Sequence, residues 1–206
     1  DYGTDPAAWL AAAEADEVDC FYENVGEYVD VMEGIGWENS EIATGSTILI
    51  RPNQTTPDAD GNTVYADKRV RQALAMAVDN NICLELGYAN KGAPADNHHA
   101  GSMHPEHDPS VGRLPYDPAK AKALMAEAGM ADYEHELISI DDDWRKNTTD
   151  AVAAQLRDAG IKVKRTILPG STFWNDWAKY PFSSTNWNHR PFAVQVWGLA
   201  YRSGEA

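Results

Sequence analysis

The strongest constraint on the fold is an alternation of helix and strand signals that begins at Tyr116. Asp117 and Pro118 suit the N-cap and first turn of a helix, and Gly129 suits its end. A strand-like stretch, HELISI, a helical stretch, TTDAVAAQLRDAG, and a second strand-like stretch, IKVKRTIL, follow in order. Strands that alternate with helices are typical of layered α/β domains. The sequence therefore predicts an α/β fold.

The N-terminal half carries further helix and strand signals. Asp5 and Pro6 suit the start of a helix that continues through AAWLAAAEA. We expect EVDCFY to form a short strand, VGEYVDVMEGI a second helix with Val25 on its apolar stripe, and GSTILIRPN a buried strand. A single helix is predicted across KRVRQALAMAVDN, with one apolar face that holds Val70, Ala73, Leu74, Ala77 and Val78.

The second half adds three expectations. In and before the IKVKRTIL strand, Ile161, Val163 and Ile167 are predicted to lie on one side. STFWNDWAKY is predicted to form a helix, and FAVQVWGLA a last strand. Residues 87–115 show little periodicity and much Gly, Pro, His and Asn, which indicates a long irregular connection of the kind often retained for binding.

Composition excludes several classes of partner. Seventeen Lys and Arg against 32 Asp and Glu give a formal net charge of −15, so the average surface repels nucleic-acid phosphates and anionic lipid headgroups. No apolar run is long enough to cross a membrane, and DYGTDPAAWL lacks the basic start and apolar stretch of a signal peptide. Cys20 and Cys83 are too few for a disulfide framework. We expect one soluble domain that does not bind nucleic acid.

Three ordered motifs resemble a known family. They are Val70–Leu74 with Ala77–Asp79, Tyr116–Gly129, and Gln155–Val163. Together they are similar to the second lobe of the solute-binding proteins of bacterial ABC importers, in the branch that takes peptides, nickel complexes and opines. The start, DPAAWLAAAEADEVD, also matches that family, with Asp16 where glycine is usual.

The resemblance implies a mixed-sheet lobe of a two-lobed, periplasmic-binding-protein-like fold of type II, in the peptide-binding cluster. Residues 1–206 would form a single α/β lobe, the inserted second lobe of a larger protein, with the first lobe and the signal peptide absent from this fragment. Such proteins close like a hinge around a solute and deliver it to an ABC permease in the membrane. The implied location is periplasmic, or lipid-anchored outside the cytoplasm. The resemblance implies no enzymatic activity and no cofactor.

The segment SSTNWNHRPF is the leading candidate for ligand binding. In the family, a strand here ends in a tryptophan, and the loop after it offers an acidic residue to the ammonium group of a peptide. Trp187 fits that pattern, but Asn188, His189 and Arg190 stand where the acid is expected. The alternative is that Arg190 only pairs with a surface carboxylate, since such pairs are frequent and weak.

The segment NHHAGSMHPEHD concentrates four histidines in the irregular connection. We expect His98 and His99 to border the ligand cleft. A weaker alternative is a metal site at His104 and His107, because histidine is a common metal ligand. On that alternative the chain is a metal-dependent enzyme or a metal-binding domain, and a pure interaction domain is a third possibility.

Two charged stretches receive structural interpretations. In DKRVR, Lys68, Arg69 and Arg71 could bind an anion, but cations are disfavoured at a helix N-terminus, so we expect Arg71 to pair with an acid. Asp141–Asp143 precede a helix expected to start near Asn147, where acids are favourable. We find no nucleophile–base pattern and no glycine-rich phosphate loop.

Overall fold

The computed structural model of the chain describes residues 5–22, 24 and 26–202. The helices are α1 (Pro6–Glu14), α2 (Tyr28–Gly34), α3 (Lys68–Met76), α4 (Asn80–Tyr88), α5 (Pro118–Glu127), α6 (Asp143–Asp158), α7 (Gly170–Asp176) and α8 (Ala193–Ala200). The strands are β1 (Thr47–Pro52), β2 (His135–Ile140), β3 (Val163–Leu168) and β4 (Phe182–Trp187). Short 3₁₀ turns occur at Val64–Ala66 and Trp177–Lys179.

The four strands form one mixed sheet in the order β1-β4-β2-β3. β2 is parallel to both β3 and β4, whereas β1 and β4 are antiparallel. Thr47 of β1 pairs with Trp187 of β4, so the start of the first strand lies beside the end of the last. The predicted mixed-sheet α/β architecture is confirmed.

Helices cover both faces of the sheet. On one face α6 packs on β2 and β3, with α4 against α6, and α3 packs against α5. Leu137, Leu156 and Phe182 are buried in this layer. Successive residues of a strand point to opposite faces, and the next residue, Ile138, joins Phe173 of α7 in a smaller cluster on the other face.

Local caps explain where several predicted helices begin and end. The Asp5 carboxylate accepts from the Ala7 N–H at 3.0 Å, and that of Asp117 accepts from the Lys120 N–H at 2.9 Å. Gly129 follows α5 with a φ of 75°, a conformation that favours glycine. α1, α5, β1 and β2 lie where the sequence predicts them, but β1, predicted to be buried, is an edge strand whose residues are all half-buried.

The single helix predicted across residues 68–80 is wrong. α3 ends at Met76, and a second helix, α4, begins at Asn80. Asp79 has an extended backbone and accepts from the Asn81 N–H at 2.9 Å, so it caps a new helix instead of continuing the old one. Its own N–H donates to the Gln155 side chain of α6 at 2.8 Å, a tertiary contact that fixes the break.

The last strand, predicted over FAVQVWGLA, is a helix, α8. The Gln195 side chain accepts from the Phe192 N–H, and the Glu106 carboxylate accepts from the first amides of α8. These acceptors satisfy the N–H groups that a helix leaves free at its start. The alternating Val-Gln-Val pattern therefore misled the prediction.

Other departures are smaller. EVDCFY forms no strand, and Tyr22 within it is 88% exposed. Ile161 and Val163 are buried as expected, but Ile167 on the edge strand β3 is 42% exposed. The second helix starts at Tyr28, and Val25 lies outside the described residues.

α6 begins four residues earlier than expected. Asp142 caps it by accepting from the Arg145 N–H at 3.0 Å. The acids at Asp141–Asp143 therefore lie at the helix N-terminus, where the sequence analysis expected acids to be favourable. Across the described part of the chain, no helix combines the length and apolarity needed to span a bilayer.

Candidate functional site

Two distant segments meet at the end of β4. Because Thr47 pairs with Trp187, residues 45–46 lie beside residues 188–189. The Gly45 N–H donates to His189 Nδ1 at 2.9 Å, and the His189 N–H donates to Ser46 Oγ at 3.0 Å. Beyond the last strand pair, these two bonds from backbone amides to side chains hold the candidate loop against residues 45–46.

The histidine-rich loop supplies a third segment at this place. The buried His104 accepts the Gly101 N–H at Nδ1, at 2.9 Å, and its Nε2 lies 2.9 Å from the Arg190 carbonyl oxygen. A carbonyl can only accept, so His104 Nε2 carries the proton and donates. The His104 ring is also nearly parallel to that of His189, with centroids 6.4 Å apart.

Glu106 connects the same loop to α8. Its carboxylate oxygens accept from the Ala193 N–H at 3.1 Å and the Val194 N–H at 3.4 Å. Desolvation opposes ionisation here, but hydrogen bonds from backbone amides, including those of Ala193 and Val194, leave the pKa of Glu106 below its ordinary value. The carboxylate therefore stays charged at the positive end of the helix.

Aromatic rings surround the half-buried Trp187. His99 contacts it edge to face with centroids 5.4 Å apart, and Trp177 does so at 6.1 Å. Tyr201 contacts His99 in the same manner at 5.5 Å. Burial, aided by the nearby His98, lowers the pKa of His99 to about 4, so its imidazole is neutral at pH 7. The packing fixes the indole in place.

Arg190 is the exposed cation of the site. Its guanidinium makes one long hydrogen bond, from Nη1 to the His189 carbonyl oxygen at 3.4 Å. Within the described ranges no carboxylate lies within 4 Å of it, so the alternative of a surface ion pair finds no support. Asn188 and His189 are also exposed. The end of β4 thus presents a positively charged, solvent-facing loop next to an indole.

The four histidines of the loop do not converge. His98 accepts from the Ala100 N–H at 3.2 Å, and His107 Nε2 lies 3.6 Å from an Asp96 oxygen. Both ring nitrogens of His104 are occupied by backbone groups. Over residues 5–22, 24 and 26–202, no set of three or more His, Cys, Asp or Glu is arranged to hold a metal ion. The geometry gives the metal alternative at His104 and His107 no support.

The DKRVR stretch borders an open depression of about 360 Å³ that His98 also lines. The prediction that Arg71 pairs with an acid is wrong for the described part of the chain: its Nη1 donates to the carbonyl oxygens of Tyr65 and Ala66 at 2.8 and 2.9 Å. These carbonyls belong to the 3₁₀ turn before α3. Arg69 does pair with an acid, Asp67, at 2.6 Å.

Residues 1–202 match the family model described as bacterial extracellular solute-binding proteins, family 5 middle. The chain belongs to this family. The resemblance seen in the three sequence motifs is thereby confirmed, and the family's description places its members outside the cytoplasm.

Two curated relatives and one solved structure are similar to this chain. Di/tripeptide-binding protein 2 of Pseudomonas aeruginosa (strain UCBPP-PA14) is 35% identical over 88 residues, which are 41% of this chain and 16% of that protein. A probable peptide ABC transporter periplasmic-binding protein of Sinorhizobium fredii (strain NBRC 101917 / NGR234) is 28% identical over 78% of this chain and 30% of its own length. The structure of the PBP AgaA in complex with agropinic acid, from A. tumefaciens R10, superposes with a TM-score of 0.81 at 21% identity, over 98% of this chain and 41% of that one. The family 5 chain thus spans less than half the length of these proteins.

Proposed function

We propose that this family 5 chain is one lobe of a solute-binding protein that captures a solute for import by an ABC permease. Family membership over residues 1–202 supports this assignment. The observation that carries the site is Arg190, an exposed guanidinium without an acidic neighbour in the described chain, held beside Trp187 where β4 ends. Binding and release of a solute require no covalent step, so we assign no enzymatic activity.

In this proposal residues 1–206 form the inserted second lobe, and the first lobe lies elsewhere in a longer protein. The adjacency of β1 and β4 supports it, since the chain enters and leaves the sheet at neighbouring points. The first lobe and a membrane permease would be its protein partners. The protein would act in the periplasm, or outside the cytoplasm on a lipid anchor.

The proposed ligand wall consists of Trp187, Asn188, His189 and Arg190. His99 acts indirectly, because it is buried against the Trp187 indole. His98 is half-buried in the open depression next to α3, and its contact with solute stays a prediction.

The charge of this loop favours an oxyanion over an amine. A desolvated ammonium needs a carboxylate partner, and the loop offers a guanidinium in its place. The planar fork of arginine suits a carboxylate or phosphate, and the indole offers a flat apolar surface. We therefore propose a solute that places a carboxylate, phosphate or polar sugar-like group near Arg190 or His189, and not a free-amine dipeptide. The similar structure with agropinic acid holds a ligand that is an acid by its name.

A thermal-shift screen of the full-length protein tests the proposal. Dipeptides, opines, sugars and organic acids are compared on the parent and on Arg190→Ala. Oxyanionic solutes should stabilise the parent, and Arg190→Ala should remove most of that shift. Arg113→Ala is the matched control. Arg113 is also an exposed arginine, but it lies 3.6 Å from the Asp96 carboxylate and outside the proposed ligand wall. Strong stabilisation by simple dipeptides that survives Arg190→Ala would refute the assignment.

A further inference from the structure

The histidine-rich loop contacts the Arg190 segment at two points three residues apart. His104 Nε2–H donates to the Arg190 carbonyl oxygen, and the Glu106 carboxylate accepts from the Ala193 N–H. The first contact holds the carbonyl oxygen of Arg190, and the second holds the N–H of Ala193. Together they set the direction in which residues 190–193 leave the sheet.

The tautomer of His104 makes the first contact specific. The Gly101 N–H occupies Nδ1, which leaves Nε2–H as the only ring donor of the neutral imidazole. A side chain without a donor at the Nε2 position cannot hold the Arg190 carbonyl.

Gly45 confines the ring from the other side. A Cβ atom on Gly45 would lie 2.7 Å from both Cε1 and Nε2 of His104 and 3.2 Å from His189 Nδ1. Real Cβ atoms do not approach so closely, so a larger residue at position 45 forces the imidazole or the backbone of residue 45 to shift. The absence of a side chain here lets the ring reach the Arg190 carbonyl.

We propose that His104 is a positioning residue for the binding segment and orients Arg190 through its backbone carbonyl. The inference rests on the proposed function, because it gives the histidine-rich loop the role of holding the solute-binding arginine. A purely structural histidine would stabilise the fold without any coupling to Arg190.

Hydrogen exchange of the full-length protein, measured without ligand, tests whether His104 holds the segment that contains Arg190. His104→Leu should speed exchange in the peptide covering residues 188–195 by about fivefold, as expected for one lost hydrogen bond. His104→Gln keeps a neutral donor of similar reach and should restore slow exchange. Gly45→Ala should act like His104→Leu by displacing the ring. Gly198→Ala, where a Cβ meets nothing within 4 Å, should leave exchange of residues 44–46 and 101–107 unchanged.

The coupling to Arg190 is measured with agropinic acid as the probe in calorimetry. His104→Leu should weaken its binding about fivefold in the parent but have little effect in the Arg190→Ala background, because the two changes remove one interaction. Equal weakening in both backgrounds would overturn the positioning role, as would unchanged exchange at residues 188–195 in His104→Leu. If the parent fails to bind agropinic acid or any other oxyanion, the solute assignment fails. The exchange result still decides whether His104 holds the Arg190 segment.

Discussion

Two buried imidazoles with lowered pKa values, those of His99 and His135, make the stability of this chain sensitive to acid. His135, at the start of β2, is fully buried, with the Tyr65 hydroxyl 3.1 Å from its Nδ1. Its Nε2 is buried and has no hydrogen-bond partner in the described chain. Burial lowers the pKa of His135 to about 4, and that of His99 to about 4 as well. Both side chains are therefore neutral in the folded protein at pH 7.

We expect the free energy of unfolding to fall as the pH drops from 6.5 towards 4. The ordinary pKa of histidine is 6.5, so in this window the unfolded chain binds protons that the folded chain excludes. Each buried imidazole can contribute up to roughly 3 kcal/mol to the loss. Urea denaturation at pH 7.5, 6 and 5 measures the effect.

Matched variants assign the effect to His135. His135→Leu removes the titrating group and should reduce the dependence of stability on pH. Tyr65→Phe removes the hydroxyl but keeps the buried imidazole, so its pH dependence should persist despite lower stability. Identical slopes for His135→Leu and the parent would show that His135 does not titrate in this range.

Sequence motifs pointed to the candidate loop at the end of β4 but not to the residues that hold it. Trp187 stands in a family pattern, and Arg190 departs from it visibly. Gly45 lies 144 positions from its partner His189, and Glu106 lies 87 positions from Ala193. Hydrogen bonds between such distant segments leave no spacing pattern in the sequence. The clustering of histidines was the available signal, and it was interpreted as a border of the ligand cleft, with a metal site as the weaker alternative.

At the scale of elements, α3 is shorter than the sequence predicts, but its predicted apolar face is buried. Val70, Ala73 and Leu74 are buried on its apolar face, which packs against α5. Leu74→Ala should lower the free energy of unfolding by roughly 2–5 kcal/mol, because it leaves a cavity in the core. Denaturant unfolding at neutral pH measures the change.

A leucine on the neighbouring helix provides the control. Leu86 of α4 is 59% exposed, so Leu86→Ala should change stability by less than about 0.5 kcal/mol. If Leu74→Ala costs no more than this control, the apolar face of α3 is not a packing surface.

Elements with local signals were predictable, and those fixed by tertiary contacts were not. α1 and α5 carry their own cap residues, Asp5 and Asp117, in sequence. α8 depends on Glu106 from a distant loop, so its Val-Gln-Val pattern was taken for a strand. β4 contains buried Ser183, Ser184 and Thr185 in place of an apolar alternation, and only the family resemblance indicated a strand there. Pattern alone cannot identify a polar strand at the centre of a sheet.

On the scale of the whole molecule, the described residues of the N-terminal helices, α1 and α2, contribute to neither core cluster of the sheet. Their own aromatic contacts join Phe21 to Trp9 and Trp37, at 6.1 and 5.4 Å. An exposed ion pair of 2.6 Å between Lys91 and Asp30 links them to the rest. Such pairs contribute little.

We therefore expect two levels of local stability in this chain. Amides of α1 and α2 should exchange through openings of less than about 3 kcal/mol, whereas those of β2 and α6 should require near-global unfolding, roughly 5–15 kcal/mol. Hydrogen exchange at neutral pH resolves the two groups. Equal protection of α1 and α6 would indicate that the helices form one cooperative unit with the sheet.

The hydrogen bond from the Gly45 N–H to His189 Nδ1 brings together the two ends of the segment 45–189. Because its two ends touch, a short linker can join them, and new termini can open at the exposed Asp60–Gly61 turn without changing the strand order. We expect such a circular permutant to keep its circular dichroism spectrum and a single urea transition. Loss of that transition would show that the junction needs the flanking chain. Two neighbouring ends are also what a domain needs in order to be inserted into a host protein at a single loop.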